Sequence, residues 1–253
     1  MARRPDDAPR ELLLLKLLPN LVSILALCAG LTAIRFAIAG NFGMAVLMIG
    51  TAAALDGLDG RLARMLKSES AIGAELDSLC DFVNFGVTPA LVLYIWGLRP
   101  ETSLGWIAVL VYAVCCMLRL ARFNVGSRAA GEAAEKTSFI GMPSPAGAML
   151  VLMPVYLVFA TNESFVMPPV LIAVWMLAVG ALMISRVRTP SLKRITIAAD
   201  YARYVLVASV ALVAALLTYP WVTLTVLSAG YLAAILALFL RGLRPQAGGG
   251  RPS

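Results

Sequence analysis

The chain has no histidine in its 253 residues. That excludes every mechanism resting on an imidazole base, nucleophile or metal ligand. Charge is also scarce: Asp, Glu, Lys and Arg make up 14% of the residues, against 60% hydrophobic. So few charges cannot solvate the surface of an ordinary soluble domain. There are only four cysteines, Cys28, Cys80, Cys115 and Cys116. All fall inside apolar stretches with no paired spacing in loops, so they read as small apolar packers rather than a disulfide or metal site. No cleavable leader is expected, because Met1 to Arg10 is polar and charged and no small-residue cleavage site follows a short apolar region.

Long apolar runs dominate instead. Runs of about 20 residues recur, each long enough to cross a hydrocarbon core of roughly 30 Å as a helix. The expectation is an all-α polytopic membrane helix bundle of about eight transmembrane helices, near 20–39, 43–64, 73–97, 104–125, 144–161, 167–185, 201–219 and 221–240. Residues 11–18, "ELLLLKLL", are too short to cross and stop at Pro19. They read as an amphipathic helix lying at the interface. The chain divides into an N-terminus with that interfacial helix (1–19), a membrane domain (20–241) and a disordered tail (242–253), whose Gly- and Pro-rich composition cannot build a core.

The net charge of +7 is unevenly placed. The loops after the second, fourth and sixth spans, with both termini and the adjoining helix ends, hold 19 of the 21 Lys and Arg. Arg35 and Arg99 are the exceptions. This asymmetry predicts both termini and the basic loops in the cytoplasm, in a multi-pass protein of the cytoplasmic (inner) membrane. Each cation near an anionic leaflet contributes about 1 kcal/mol. Membrane lipids are therefore the expected partner of the positive charge, and nucleic acid is not.

Against this apolar background, Asp56 and Asp59 lie three apart near the inner end of the second span. Asp77 and Asp81 lie four apart in the first turns of the third. Both spacings put their residues on one helical face. At 1.5 Å per residue, two antiparallel helices bring all four to about the same level. Four bare carboxylates there would repel one another, and even one charge at mid-membrane costs several kcal/mol. They either stay protonated or have cations between them. An all-oxygen anionic ligand set suits Mg²⁺ or Mn²⁺, and two such ions would clamp phosphoryl oxygens. Gly57 and Gly60 leave the second span bare beside the aspartates, for close approach of another helix or a ligand. Gly73 stands at a helix N-terminus, where free N–H groups favour an anion. Arg64, one turn past Gly60, can meet a phosphate. A proton- or cation-coupled transporter is the other reading of intramembrane aspartates.

The stretch resembles the signature of the CDP-alcohol phosphatidyltransferases, D-x2-D-G-x2-A-R-x8-G-x3-D-x3-D. Asp56, Asp59, Gly60, Ala63, Arg64, Gly73, Asp77 and Asp81 occupy every fixed position. Further segments look like the serine-using branch: "LPNLVSILALCAGLTAI" (18–34), "ELDSLCDFVNFGVTPA" (75–90), "RLARFN" (119–124), "FIGMPSPA" (139–146) and "SLKR" (191–194). The resemblance implies transfer of the phosphatidyl group of CDP-diacylglycerol to a hydroxyl acceptor, L-serine, with release of CMP. It implies two divalent ions, Mg²⁺ or Mn²⁺. Asp56, Asp59 and Asp77 would hold one, and Asp56, Asp77 and Asp81 the other, with Asp81 also the general base. Gly60, Ala63, Arg64, Ser70 and Gly73 would line the CDP-lipid site, bordered by Asn20 and Ser23. It further implies a homodimer. Other acceptors used in the family are glycerol 3-phosphate, inositol phosphate and choline. Arg119 and Arg122, with Asn124, are the candidates for holding the serine carboxylate; the two arginines are equally readable as positive-inside anchors.

Overall fold

The computed structural model describes residues 7–66, 68, 70–99, 102–130, 142–161, 167–185 and 202–242. Every described element is helical. The first helix, α1 (Asp7–Ile38), stops at Gly40, whose φ of 77° is a left-handed conformation that glycine adopts without strain. Asn41 then caps α2 (Phe42–Met65), its side chain accepting the Met44 N–H at 3.0 Å. The result is a tight antiparallel pair, α1 packed along α2. α1 does not end at Pro19 as expected but runs through it. A proline removes one backbone donor, and membrane helices tolerate that where neighbouring groups re-satisfy the backbone.

Ser70 caps α3 (Ala71–Asp81). The same rod continues through a π-helical turn (Phe82–Val87), α4 (Thr88–Leu93) and a second π-helical turn (Tyr94–Leu98). It is followed by α5 (Thr102–Ala130), α6 (Ser144–Val151), α7 (Met153–Ala160), α8 (Pro169–Ile184), α9 (Ala202–Thr218) and α10 (Pro220–Gly242).

Among the described residues, five stretches are long and apolar enough to cross a membrane: Leu18–Ile38, Phe42–Met65, Ala71–Leu98, Ser103–Gly126 and Pro220–Leu238. The other three expected spans are shorter. The 16 residues of α8 reach about 24 Å. The run from 144 to 160 is divided at Leu152 into α6 and α7. Residues 1–6 and 243–253, including nearly all of the expected tail, lie outside the described residues.

Two prolines interrupt the helical ladder inside the bundle, and each freed carbonyl has a partner from another helix. Pro89 cannot supply the α-helical N–H for the Phe85 carbonyl; Tyr112 of α5 donates its hydroxyl there at 3.0 Å. Pro154 leaves the Leu150 carbonyl without its α-helical N–H; the Trp175 indole of α8 donates to it at 2.9 Å. Such pairing is required where lipid offers no hydrogen bonds. Around these contacts sits the core, with Phe85, Leu93, Leu98, Tyr112, Leu150 and Met176 fully buried. By contrast, α9 presents Leu206, Val207, Val210 and Leu217 outward, as expected of a surface facing acyl chains.

Candidate active site

The α1–α2 pair and α3 converge at one end of the bundle. Asp56 and Asp59 come from α2 and Asp77 from α3. One carboxylate oxygen from each lies within 4.8 Å of the others, a grouping able to hold a metal ion. Asp59 is 3% exposed and the other two are half-buried. Asp81, one turn along from Asp77, stands outside that triad but within hydrogen-bonding reach of Asp56. The buried Oδ1 atoms of Asp59 and Asp81 have no hydrogen-bond partner. Buried carboxylate oxygens left unpaired are costly, and a divalent cation, hard and oxygen-seeking, supplies the missing partner. The residues therefore fit the implied metal.

α1 completes the wall. The Ser23 hydroxyl, 3.2 Å from the Pro19 carbonyl, donates to Asp59 Oδ2. Asn20 lies against Gly73, where an added Cβ would come within 2.9 Å of Asn20 Oδ1 and 3.0 Å of Ser70 Oγ. Both residues expected to border the nucleotide are thus at the carboxylates and the α3 cap. The Gly73 N–H is not free as expected: it donates to Ser70 Oγ at 3.0 Å. Its glycine serves the close approach of α1.

Gly57 and Gly60 differ from Gly73. Both are exposed, and a Cβ at either would meet nothing within 4 Å among the described residues. Among the described residues no helix approaches either glycine, so an open face lies beside the aspartates. Arg64 is exposed on that helix, its Nε donating to its own Gly60 carbonyl at 3.0 Å. Ala63 is half-buried between them.

The two candidate acceptor arginines separate. Arg119 turns inward, donates to the buried Ser144 hydroxyl at the start of α6, and lies within electrostatic range of Asp81 and Asp56. Arg122 is exposed and donates to the Ile184 carbonyl at the end of α8, at 3.0 Å. Asn124 donates to Ser78 Oγ at 2.9 Å, between Asp77 and Asp81 in the sequence of α3. Ser78 and Ser144 were not singled out from sequence. Ser144 lies in the "FIGMPSPA" segment, and nothing in its spacing marks it as a partner of Arg119. The four cysteines are free thiols, three of them buried, in keeping with a packing role.

Fold and site together define a multi-pass membrane protein, all-helical among the described residues, with a cluster of carboxylates able to hold a metal ion set between its first three helices. Comparison with known proteins narrows this. Residues 16–185 match the family described as CDP-alcohol phosphatidyltransferase, and residues 201–235 match a second segment described as CDP-alcohol phosphatidyltransferase 2. The chain is 39% identical over 236 residues to the CDP-diacylglycerol–serine O-phosphatidyltransferase of Mycobacterium leprae, covering 92% of this chain and 77% of that one. It is 38% identical over 219 residues to the enzyme of the same name from Mycobacterium tuberculosis strain H37Rv, covering 86% and 76%. Against that of Bacillus subtilis it is 36% identical over 178 residues, covering 70% and 92%. The chain belongs to the CDP-alcohol phosphatidyltransferase family.

Proposed function

We propose that this chain is a CDP-diacylglycerol–serine O-phosphatidyltransferase. It transfers the phosphatidyl group of CDP-diacylglycerol to the hydroxyl of L-serine, forming phosphatidylserine and CMP. The observation that carries the reading is the convergence of Asp56, Asp59 and Asp77 within 4.8 Å, on signature positions of the family. The names of the Mycobacterium and Bacillus relatives support serine as acceptor.

In this reading the serine hydroxyl attacks the lipid-side phosphorus. A new P–O bond forms to serine, the bond to the CMP oxygen breaks, and the hydroxyl proton passes to the Asp81 carboxylate. Asp56, Asp59 and Asp77 would hold one Mg²⁺ or Mn²⁺, and Asp56, Asp77 and Asp81 a second. Such ions supply charge neutralisation for the pyrophosphate and the departing phosphate. The open face at Gly57 and Gly60, with Ala63, Arg64, Ser70, Gly73, Asn20 and Ser23 around it, receives the CDP-lipid head. Arg119 holds the acceptor carboxylate. Asn124 orders the α3 face through Ser78, and Arg122 anchors the end of α8.

The same reading has α6–α7, α8 and α9 crossing the bilayer as well, eight spans in all. It has residues before Pro19 at the interface and the catalytic end, with both termini, facing the cytoplasm across the cytoplasmic membrane. The positive-inside asymmetry supports that orientation. The working unit is a homodimer.

The test is CMP release by purified protein given CDP-diacylglycerol and a panel of acceptors. L-Serine should support release, and glycerol 3-phosphate, inositol phosphate and choline should not. Asp77→Asn should reduce release to near background while the protein remains in the membrane. No serine-dependent CMP from the wild type, or near-normal activity in Asp77→Asn, would overturn the reading.

A further inference from the structure

α10 carries two buried hydroxyl oxygens with no hydrogen-bond partner, Ser228 Oγ and Tyr231 Oη. They are three residues apart and so share a face. Ser228 is 0% exposed and Ile235, one turn past Tyr231, is 2% exposed, so this face is turned into the bundle. Among the described residues the other buried hydroxyl without a partner is Ser68 Oγ, in the link between α2 and α3; hydroxyls within the helices are commonly satisfied. Ser78 and Ser209 donate to the carbonyl four residues back, and the buried Tyr112 finds the Phe85 carbonyl. A buried hydroxyl left unpaired is destabilising. One retained in an apolar span therefore points to a partner that arrives from outside.

The surroundings of Tyr231 specify that partner's chemistry. Tyr231 lies within electrostatic range of the Arg119 guanidinium, which in turn is within range of Asp81. Arg119 already spends one N–H on Ser144. A guanidinium has five donors and no acceptor, and Tyr231 Oη makes no hydrogen bond to it. Two groups with N–H and O–H donors to spare, near each other but unbonded, suit a ligand that accepts from both. A carboxylate, with two oxygens and about four lone-pair sites, is such a ligand. Arg119 is also within electrostatic range of Asp81, so a carboxylate held by it belongs to a molecule close to the proposed base.

We propose that Tyr231 is a specificity-determining residue for the acceptor, its hydroxyl donating to the serine carboxylate alongside Arg119. This rests on the reading of the chain as a serine transferase. Tyr231→Phe removes only the hydroxyl. Because that hydroxyl has no partner among the described residues, the variant should melt in detergent at or above the wild-type temperature. A hydrogen bond to a charged group is lost only when serine is bound, so the serine KM should rise about 10-fold or more. The KM for CDP-diacylglycerol should stay unchanged. An unchanged serine KM in an active Tyr231→Phe enzyme overturns the proposal and leaves the serine transferase reading standing. A rise confined to the CDP-diacylglycerol KM also overturns it, because the oxygens paired by Tyr231 would then be the donor's phosphates. If the wild type itself releases no CMP with serine, the underlying reading fails and this proposal with it.

Discussion

Ser23→Ala is the sharpest single test of the carboxylate site. Asp59 is the most deeply buried of the four carboxylates, at 3% exposure. One of its oxygens receives the Ser23 hydroxyl and the other has no partner. Ser23 therefore fixes the carboxylate's rotation, and with it the direction in which the free oxygen points. Alanine removes one oxygen atom and leaves the α1–α2 packing intact. A hydrogen bond to a charged group is worth about 1.5–3 kcal/mol. Outer partners of metal ligands typically change metal affinity by about 10- to 100-fold. Both magnitudes predict that the Mg²⁺ concentration giving half-maximal CMP release rises about 10- to 100-fold at saturating CDP-diacylglycerol and serine. Ser23→Thr keeps the hydroxyl and should restore most of the loss. Wild-type metal dependence in Ser23→Ala would refute the reasoning. A rise in the CDP-diacylglycerol KM alone would do so too, by moving Ser23 from the metal to the nucleotide.

Arg119→Ala should raise the serine KM about 10- to 100-fold, whereas Arg122→Ala should leave it within about twofold; equal effects on steady-state kinetics would contradict the division between them. Gly30→Ala would drive a methyl group into the fully buried Asn84 amide, with Asn84 Cγ at 3.1 Å and Thr88 Oγ1 at 3.4 Å; overpacking of this kind costs about 1–3 kcal/mol, read as a lower melting temperature in detergent. Tyr112→Phe should cost roughly 1–3 kcal/mol by leaving the Phe85 carbonyl unpaired, and wild-type thermal stability would show that this contact is idle. Ser70→Cys, at the exposed start of α3, should react with a membrane-impermeant thiol reagent in inside-out vesicles and not in intact cells.

The aspartates were legible in the sequence because spacings of three and four translate directly into one helical face. Where the three helices meet was legible only through the resemblance. Arg119 and Arg122 show the limit of spacing. They share a face by count, yet one head group reaches Ser144 and the other the Ile184 carbonyl. A long side chain chooses among partners that only the fold supplies. Gly57 and Gly60 left two readings open because a missing side chain admits a helix or a ligand equally; among the described residues both face open space. Pro19 read as a stop because proline lacks a donor, but the helix continues through it. Tyr231 gave no signal at all. A tyrosine in an apolar span looks like packing until its hydroxyl is found without a partner.

The proline contacts also bear on how the protein is assembled. A third span entering hydrocarbon by itself would carry the Phe85 carbonyl without the Tyr112 hydroxyl that pairs it, since that donor belongs to α5. The α6–α7 segment would carry the Leu150 carbonyl without the Trp175 indole of α8. Each unsatisfied group in lipid costs several kcal/mol. Bringing these helices into the bilayer in pairs, α3–α4 with α5 and α6–α7 with α8, therefore lowers the energy of each step. A Tyr112 or Trp175 variant would then fail first in biogenesis, with its signature in the yield of inserted protein before any change in catalytic rate.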